Sequence, residues 1–404
     1  MLHETRHAWP SRFPALEQRI NGQPLVFLDS AATTLRPQSV IDALSTFYST
    51  DNANPSRVHT LASRAADRLA EARAAAARFV NASNPSEIVF VRGTTEGLNL
   101  VAGTWGTANL RAGDELVLPV SEHASNLMPW VRAARLAGAT TRIVDVDDQG
   151  RLNPDQLEKQ LSNRTRLVAF SHVSNVLGYV NPAKELCAAA HAAGAHVVID
   201  GAQGAPHVRV DVQDLGCDFY VFSGHKMLGP MGTGVVWGRS ELLDAMPAYH
   251  VGSNMAHDVD FNNMTLEHGS QKYQAGTPDV AGPVGLAAAI AFFENAGAAL
   301  QGHDEQLVRH GLDVLRKVPG LRLIGPPGPE RRVPVFTFVL DGHPAVSVAH
   351  ALDTQGIAVR AGDLAALPLL KRFKTLEAVR ASAYVYSTPD DLDRLGSALR
   401  QLTQ

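Results

Sequence analysis

The stretch DFYVFSGHKMLGPMGTG, residues 218–234, decides how this chain is read. An unbroken run of strand-forming residues ends in Ser-Gly-His-Lys and then a glycine-rich loop, which sets Lys226 at a strand end, where α/β sheets gather their ligands. A lysine held among apolar residues loses part of the solvation of its ammonium form, so its pKa falls and its amine can attack an aldehyde. The competing reading is a lysine in a surface turn, the fate of most lysines.

Three further segments are built alike. HVVIDGAQGAPH, residues 196–207, puts Asp200 at the tip of an apolar strand. A buried carboxylate needs a cationic partner, and the protonated ring nitrogen of a bound cofactor would serve, although a strand-end Asp is otherwise a cap or turn residue. FVRGTTEGLNL, residues 90–100, runs from a strand through Gly-Thr-Thr-Glu into a helical pattern. Backbone N–H groups at such a helix start, helped by the hydroxyls of Thr94 and Thr95, form an anion site suited to phosphate, and a plain N-cap is equally good locally. SEHASNLMPW, residues 121–130, places His123 just after the run DELVLP. There an imidazole can stack on a planar cofactor or move a proton, unless it is a satisfied core histidine.

Around these segments, short β-branched and aromatic runs alternate with Ala-rich helical stretches from LVFLDS at residue 25 to GVVWG at 238. That alternation predicts an α/β fold with a large, mostly parallel sheet, covered on both faces because several runs are apolar without alternation. Residues 57–80 and 183–194 carry apolar residues at helical spacing, the second ending at Gly194. From about 282 the chain changes to a long Ala/Leu helix, the turn-forming GPPGPE and the strand-like VPVFTFVL. The expected organisation is an N-terminal segment 1-20 packing on a small domain, a large cofactor-binding domain 21-281 and a smaller α+β C-terminal domain 282-404.

Composition excludes several classes. Thirty-six Lys plus Arg against 40 Asp plus Glu give a net charge of −4 with no long basic run, so nucleic acid is not an expected partner. The first residues, MLHETRHAWPSRFP, lack an apolar leader core, and no run of about 18 apolar residues predicts a membrane span. A cytoplasmic chain without membrane contact is therefore expected. Only Cys187 and Cys217 occur, at no metal-binding or disulfide-framework spacing, so no metal is expected.

Taken together, GTTEG, SEH with its following Asn, SHVSNVLG, DGAQ and SGHK, then QAGTPD at 274–279, resemble the fold type I, aspartate-aminotransferase-like pyridoxal phosphate (PLP) enzymes of class V. Within them the chain is most similar to the SUF-type cysteine desulfurases and selenocysteine lyases, from LDSAATT at 28–34 to VRAS at 379–382. The resemblance implies that Lys226 bonds the cofactor aldehyde, Asp200 pairs with the pyridine nitrogen and Gln203 with the phenolic oxygen. His123 would stack on the ring and shuttle protons. Thr94, Thr95, Ser223 and His225 would hold the phosphate, with Thr277 arriving from the partner subunit of a homodimer. Asn175 and Arg380, with Arg360 nearby, would grip the carboxylate of an amino-acid substrate, a task for which Arg is better suited than Lys.

One departure bears on function. RAGDLAALP, residues 360–368, falls where these desulfurases carry the loop of their sulfur-accepting cysteine. Arg360, Gly362, Ala366 and Pro368 keep the frame, Ala365 stands at the cysteine position, and Asp363 and Leu364 replace a pair that is often His-His. Tyr273, Gln274 and Asp279 also differ from the family's usual residues. A methyl group cannot hold a persulfide. The expectation is therefore a PLP-dependent lyase cleaving a C–S, C–Se or sulfinate bond of a cysteine derivative without a protein persulfide. The alternatives are release of sulfide or selenide from the free amino acid, transamination or epimerisation, and a non-catalytic binding protein.

Overall fold

The computed structural model describes residues 9–404. Seven apolar segments form one sheet: β1 (Ile88–Val91), β2 (Glu115–Pro119), β3 (Thr140–Val144), β4 (Thr165–Ser171), β5 (His196–Asp200), β6 (Phe219–Ser223) and β7 (Gly234–Gly238). Their spatial order is β1-β7-β6-β5-β4-β2-β3. From β3 to β6 neighbouring strands are parallel, and only β7 runs against both of its neighbours. Every residue of β2, β6 and β7 is buried, which is why these runs carry no polar alternation.

Helices cover both faces. On one, α1 (Thr60–Val80), α4 (Ala183–Ala192) and α5 (Ala281–Ala296) place Ala76, Leu186 and Ile290 against Val197, Ile199, Tyr220 and Phe222. On the other, α2 (Thr94–Asn109) and α3 (Met128–Ala137) place Leu98, Val101 and Trp130 against Val198, Val221 and Val236. Successive residues of β5 thus point to opposite faces and are buried on both. Each fully buried side chain of this size contributes about 1.5–3 kcal/mol.

A second sheet orders β8 (Leu321–Ile324), β9 (Val335–Leu340), β10 (Arg360–Gly362) and β11 (Ala378–Ser382) as β8-β9-β11-β10, all antiparallel. α6 (Ala298–Leu315) and α7 (Pro389–Leu402) pack Leu307, Leu312, Leu395 and Leu399 on Phe336, Phe338 and Val379. The start of α7 is fixed by a capping box between Thr388 and Asp391.

The run LVFLDS departs from its expected place among the strands of the large sheet. Only Val26–Phe27 is extended, and it pairs in parallel with Ile357–Ala358. Val26 and Leu28 bury their side chains with Leu307, Phe336 and Phe338, so tertiary packing on the small sheet settles the pairing. The expected domain boundary at 281/282 coincides with the start of α5, which serves both regions: Leu286 and Ile290 join the large-sheet core, and Phe292 joins a cluster with Tyr384 and Tyr386. Of the N-terminal segment, residues 1–8 lie outside the described residues. Trp9 and Phe13 are buried, the latter ring 4.8 Å from that of Tyr386. Among the described residues no single helix is long and apolar enough to cross a membrane.

Candidate active site

The C-terminal ends of β4, β5 and β6 open onto a cavity of about 510 Å³. It is closed from the other side by β10, β11 and the loop after Gly362. Lys226 lies three residues beyond Ser223, at the end of a short 3-10 turn after β6. Burial pulls its amine from the usual lysine range down to about 8, opposed by Asp200 and assisted by the positive charge of Arg380. A substantial fraction of the amine is therefore neutral near physiological pH.

Asp200 ends β5, buried, with Oδ1 accepting the N–H of Ala202 at 2.9 Å. Burial raises its carboxyl pKa, with that N–H and Lys226 acting in the opposite sense. Gln203 donates Nε2 to the carbonyl of Ala31 at 2.6 Å, and its buried Oε1 has no partner. The segment can lie this close to the sheet because position 204 is Gly: a Cβ there would sit 2.6 Å from the Tyr220 hydroxyl.

The start of α2 faces the same cavity. Gly93, at φ +153°, delivers the chain from β1 into the helix, and a Cβ on Gly234 of β7 would meet its Cα at 2.6 Å. This close approach puts the Thr94 N–H and hydroxyl each 2.7 Å from Ser223 Oγ. Thr95 Oγ1 meets Ser125 Oγ at 2.8 Å, and the Ser125 N–H donates to His123 Nδ1 at 3.0 Å. An imidazole nitrogen that accepts an N–H carries no proton, so the ring's proton sits on Nε2. Burial, then the positive Lys226 and Arg380, hold His123 down at about 4, with Asp363 opposing. Burial likewise takes His225 to about 4. Both rings are neutral at physiological pH.

Arg380, buried in β11, donates Nη1 to the carbonyl of Asn175 at 3.1 Å and approaches Asp29 at 3.6 Å. Its Nε is buried and unpartnered. Arg360 pairs with the same Asp29 at 2.6 Å, so one carboxylate steadies both arginines. Asn175 Nδ2 reaches the carbonyl of Leu364 at 3.0 Å, which ties β4's following loop to the loop holding Ala365. Of the catalytic, cofactor-binding and substrate-binding residues expected from the sequence, Thr277 alone is not in the cavity lining; it is exposed.

Sequence reasoning missed three supports. Asp29 lay inside LDSAATT without a spacing that marks it. Glu122, 1% exposed, accepts from Asn126 Nδ2 at 2.6 Å and from the Ser171 N–H and hydroxyl at 3.0 and 3.2 Å. Ser171 also lines the cavity, beside Asp200 in the sheet register. A charged residue directly before His123 was the available signal, and it reads equally well as a surface residue.

Residues 26–395 match the family model described as aminotransferase class-V. The chain belongs to that family. A cysteine desulfurase of Synechococcus elongatus is 45% identical over 403 residues, 99% of this chain, although the chain spans only 63% of that relative's length. A probable cysteine desulfurase of Halalkalibacterium halodurans is 44% identical, covering 98% of this chain and 97% of its own. The crystal structure of the cysteine desulfurase CsdA (S-sulfonic acid) from Escherichia coli superimposes with a TM-score of 0.91 at 36% identity, over 98% of both chains. This class-V chain therefore has the type I fold of PLP enzymes and is a PLP-dependent, desulfurase-like enzyme.

The side chains fit that cofactor. An unpartnered Gln203 Oε1, a buried strand-end carboxyl in want of a cation, a lysine with a lowered pKa and a 16-residue helix opening on Thr94 and Thr95 all face one cavity.

Proposed function

We propose that the enzyme breaks the Cβ–S bond of a cysteine derivative, or the corresponding C–Se or sulfinate bond, without storing sulfur on the protein. The observation that carries this reading is Ala365 in the cavity wall, at the position the resemblance gives to the sulfur acceptor. Neither cysteine offers a substitute. Cys187 and Cys217 are buried in the core behind the sheet, where desolvation pushes Cys187 up to about 12 and raises Cys217 well above the ordinary thiol range.

When bound, pyridoxal phosphate supplies an electron sink for the pair released at Cα. Asp200 would hold the ring nitrogen protonated, and Gln203, whose Nε2 keeps a second N–H beyond the one on the Ala31 carbonyl, would donate to the phenolic oxygen. Thr94, Thr95, Ser223 and His225 would hold the phosphate at the start of α2. Arg380 and Asn175 would orient the substrate carboxylate, with Arg360 sharing Asp29 as a brace. Lys226 Nζ, neutral over part of its population, takes the Cα proton. The neutral His123 ring presents Nε2–H, a donor suited to the sulfur as it departs with the bonding electron pair. For an S-substituted cysteine the products are a thiol, and a keto acid with ammonia after hydrolysis; the selenium analogue gives a selenol, and a sulfinate gives sulfur dioxide with alanine.

A homodimer is part of this reading. Thr277 is exposed, and its segment is tied to an exposed hairpin: Gly276 donates to Ser253 at 2.8 Å and Asn254 to Gly276 at 2.9 Å, with Phe261 fully exposed at the hairpin tip. Sedimentation of a monomer with full cofactor occupancy would contradict it.

A second reading is sulfide or selenide release from the free amino acid, and the relatives' names, cysteine desulfurase and probable cysteine desulfurase, favour it for sulfur. Product analysis separates the two. The purified holoenzyme is titrated with cysteine, cysteine sulfinate and S-substituted cysteines while the cofactor absorbance, pyruvate and alanine are followed. Pyruvate from an S-substituted substrate supports the lyase. Alanine from cysteine, with its sulfur recovered as sulfide when a thiol reductant is supplied and both products lost in Lys226→Ala, would overturn it.

A further inference from the structure

The cavity carries one carboxylate for which the proposed reaction has no use, Asp363. Its Oδ1 accepts the N–H of Ala365 at 3.0 Å and its carbonyl accepts that of Ala366 at 3.0 Å. These bonds close a turn in which Leu364 and Ala365 are both left-handed at φ +52°, held from outside by Asn175 on the Leu364 carbonyl and by the Ala124 N–H on the Ala365 carbonyl at 2.7 Å. The side chain is thus anchored at the cavity rim through one oxygen.

Its charge is not neutralised there. Among the described residues Asp363 forms no ion pair, because both cavity arginines are directed to Asp29. The nearby His123 ring is neutral at working pH. With the α-carboxylate at Arg380 and Cα at Lys226, a substituent on sulfur is directed to the side where residue 365 ends at Cβ. Asp363, two residues before Ala365 on the same turn, brings its carboxylate to that side of the lining.

Resting on the lyase reading, we propose that Asp363 selects cysteine S-conjugates whose sulfur substituent ends in a cationic or N–H-donating group and disfavours those ending in an anion. Such an exposed pair is screened by water, so the preference is modest, about tenfold.

The test compares S-aminoethyl-L-cysteine with S-carboxymethyl-L-cysteine, of similar length and opposite charge, as kcat/KM and as Kd from perturbation of the cofactor absorbance. Wild-type holoenzyme is set against Asp363→Asn, which keeps an oxygen for the Ala365 N–H and removes the charge. Asp363→Ser keeps a smaller cap should the first variant load cofactor poorly. Expected is a preference of about tenfold for the aminoethyl compound, weakened by salt and near unity in both variants. Equal Kd values in the wild type, or a ratio unchanged by the substitutions, overturn the inference even if both compounds are cleaved. Charge-selective binding without cleavage of either compound upholds Asp363 as the selector and overturns the lyase reading instead.

Discussion

Ser171 donates both its backbone N–H and its hydroxyl to a single oxygen of Glu122, at 3.0 and 3.2 Å. Glu122 precedes His123, and Ser171 is the sheet partner of Asp200, so one buried carboxyl ties the histidine loop to the strand tips below the cavity. Its other oxygen holds Asn126, itself oriented by the Trp130 indole N–H at 2.9 Å. Glu122→Leu strands three donors in the core. Loss of at least about 3 kcal/mol is expected in denaturant unfolding of the apoprotein.

Burial pushes the same carboxyl from 4.5 up to about 8. Between those values the folded chain keeps a proton that the unfolded chain has released, so this group's contribution is full below 4.5 and is lost as pH rises through about 8. Subtracting the stability of Glu122→Gln from that of the wild type across pH should leave a difference that falls over this window and is flat on either side. A difference independent of pH would refute the assignment.

Lys226 titrates at about 8 and His123 at about 4. The rate at which apoprotein captures pyridoxal phosphate should therefore climb with pH and level off above about 8, without the step near 6.5 that an ordinary histidine would add. Stopped-flow absorbance reads this directly, and Lys226→Ala should show no covalent capture at any pH.

Arg380 is buried, with Nε unpartnered and Nη1 on the Asn175 carbonyl. Lysine has a single donor head and cannot make the paired contact with a carboxylate. Arg380→Lys should raise KM by about 10- to 100-fold, the equivalent of one charge-assisted hydrogen bond, while cofactor affinity measured by equilibrium titration stays close to wild type.

Ala365 already occupies the left-handed region, and a cysteine there adds one sulfur without changing the backbone cost. Ala365→Cys should acquire an alkylatable thiol in the cavity. Incubated with cysteine, it should gain the mass of one sulfur atom at residue 365 and release alanine. A variant that carries the thiol but never the sulfur would mean that the loop differs from that of a desulfurase in more than this one side chain.

What the sequence determined was the part written in local pattern. Unbroken apolar runs ending in Lys226 and Asp200 dictated buried parallel strands whose tips hold polar groups, and Gly-Thr-Thr ahead of a helical period dictated an open helix start. These depend on neighbours within a few residues, so they are legible along the chain. The bracing of Arg360 and Arg380 on Asp29, the Ser171–Glu122 bond and the transfer of Val26 and Leu28 to the small-sheet core were not legible. Each joins residues far apart in sequence, with no period that predicts the meeting. The lowered pKa of Lys226 and the neutrality of His123 belong to the same class, because desolvation and Coulomb fields are set by what packs around a group. Only the fold brings that surrounding matter together.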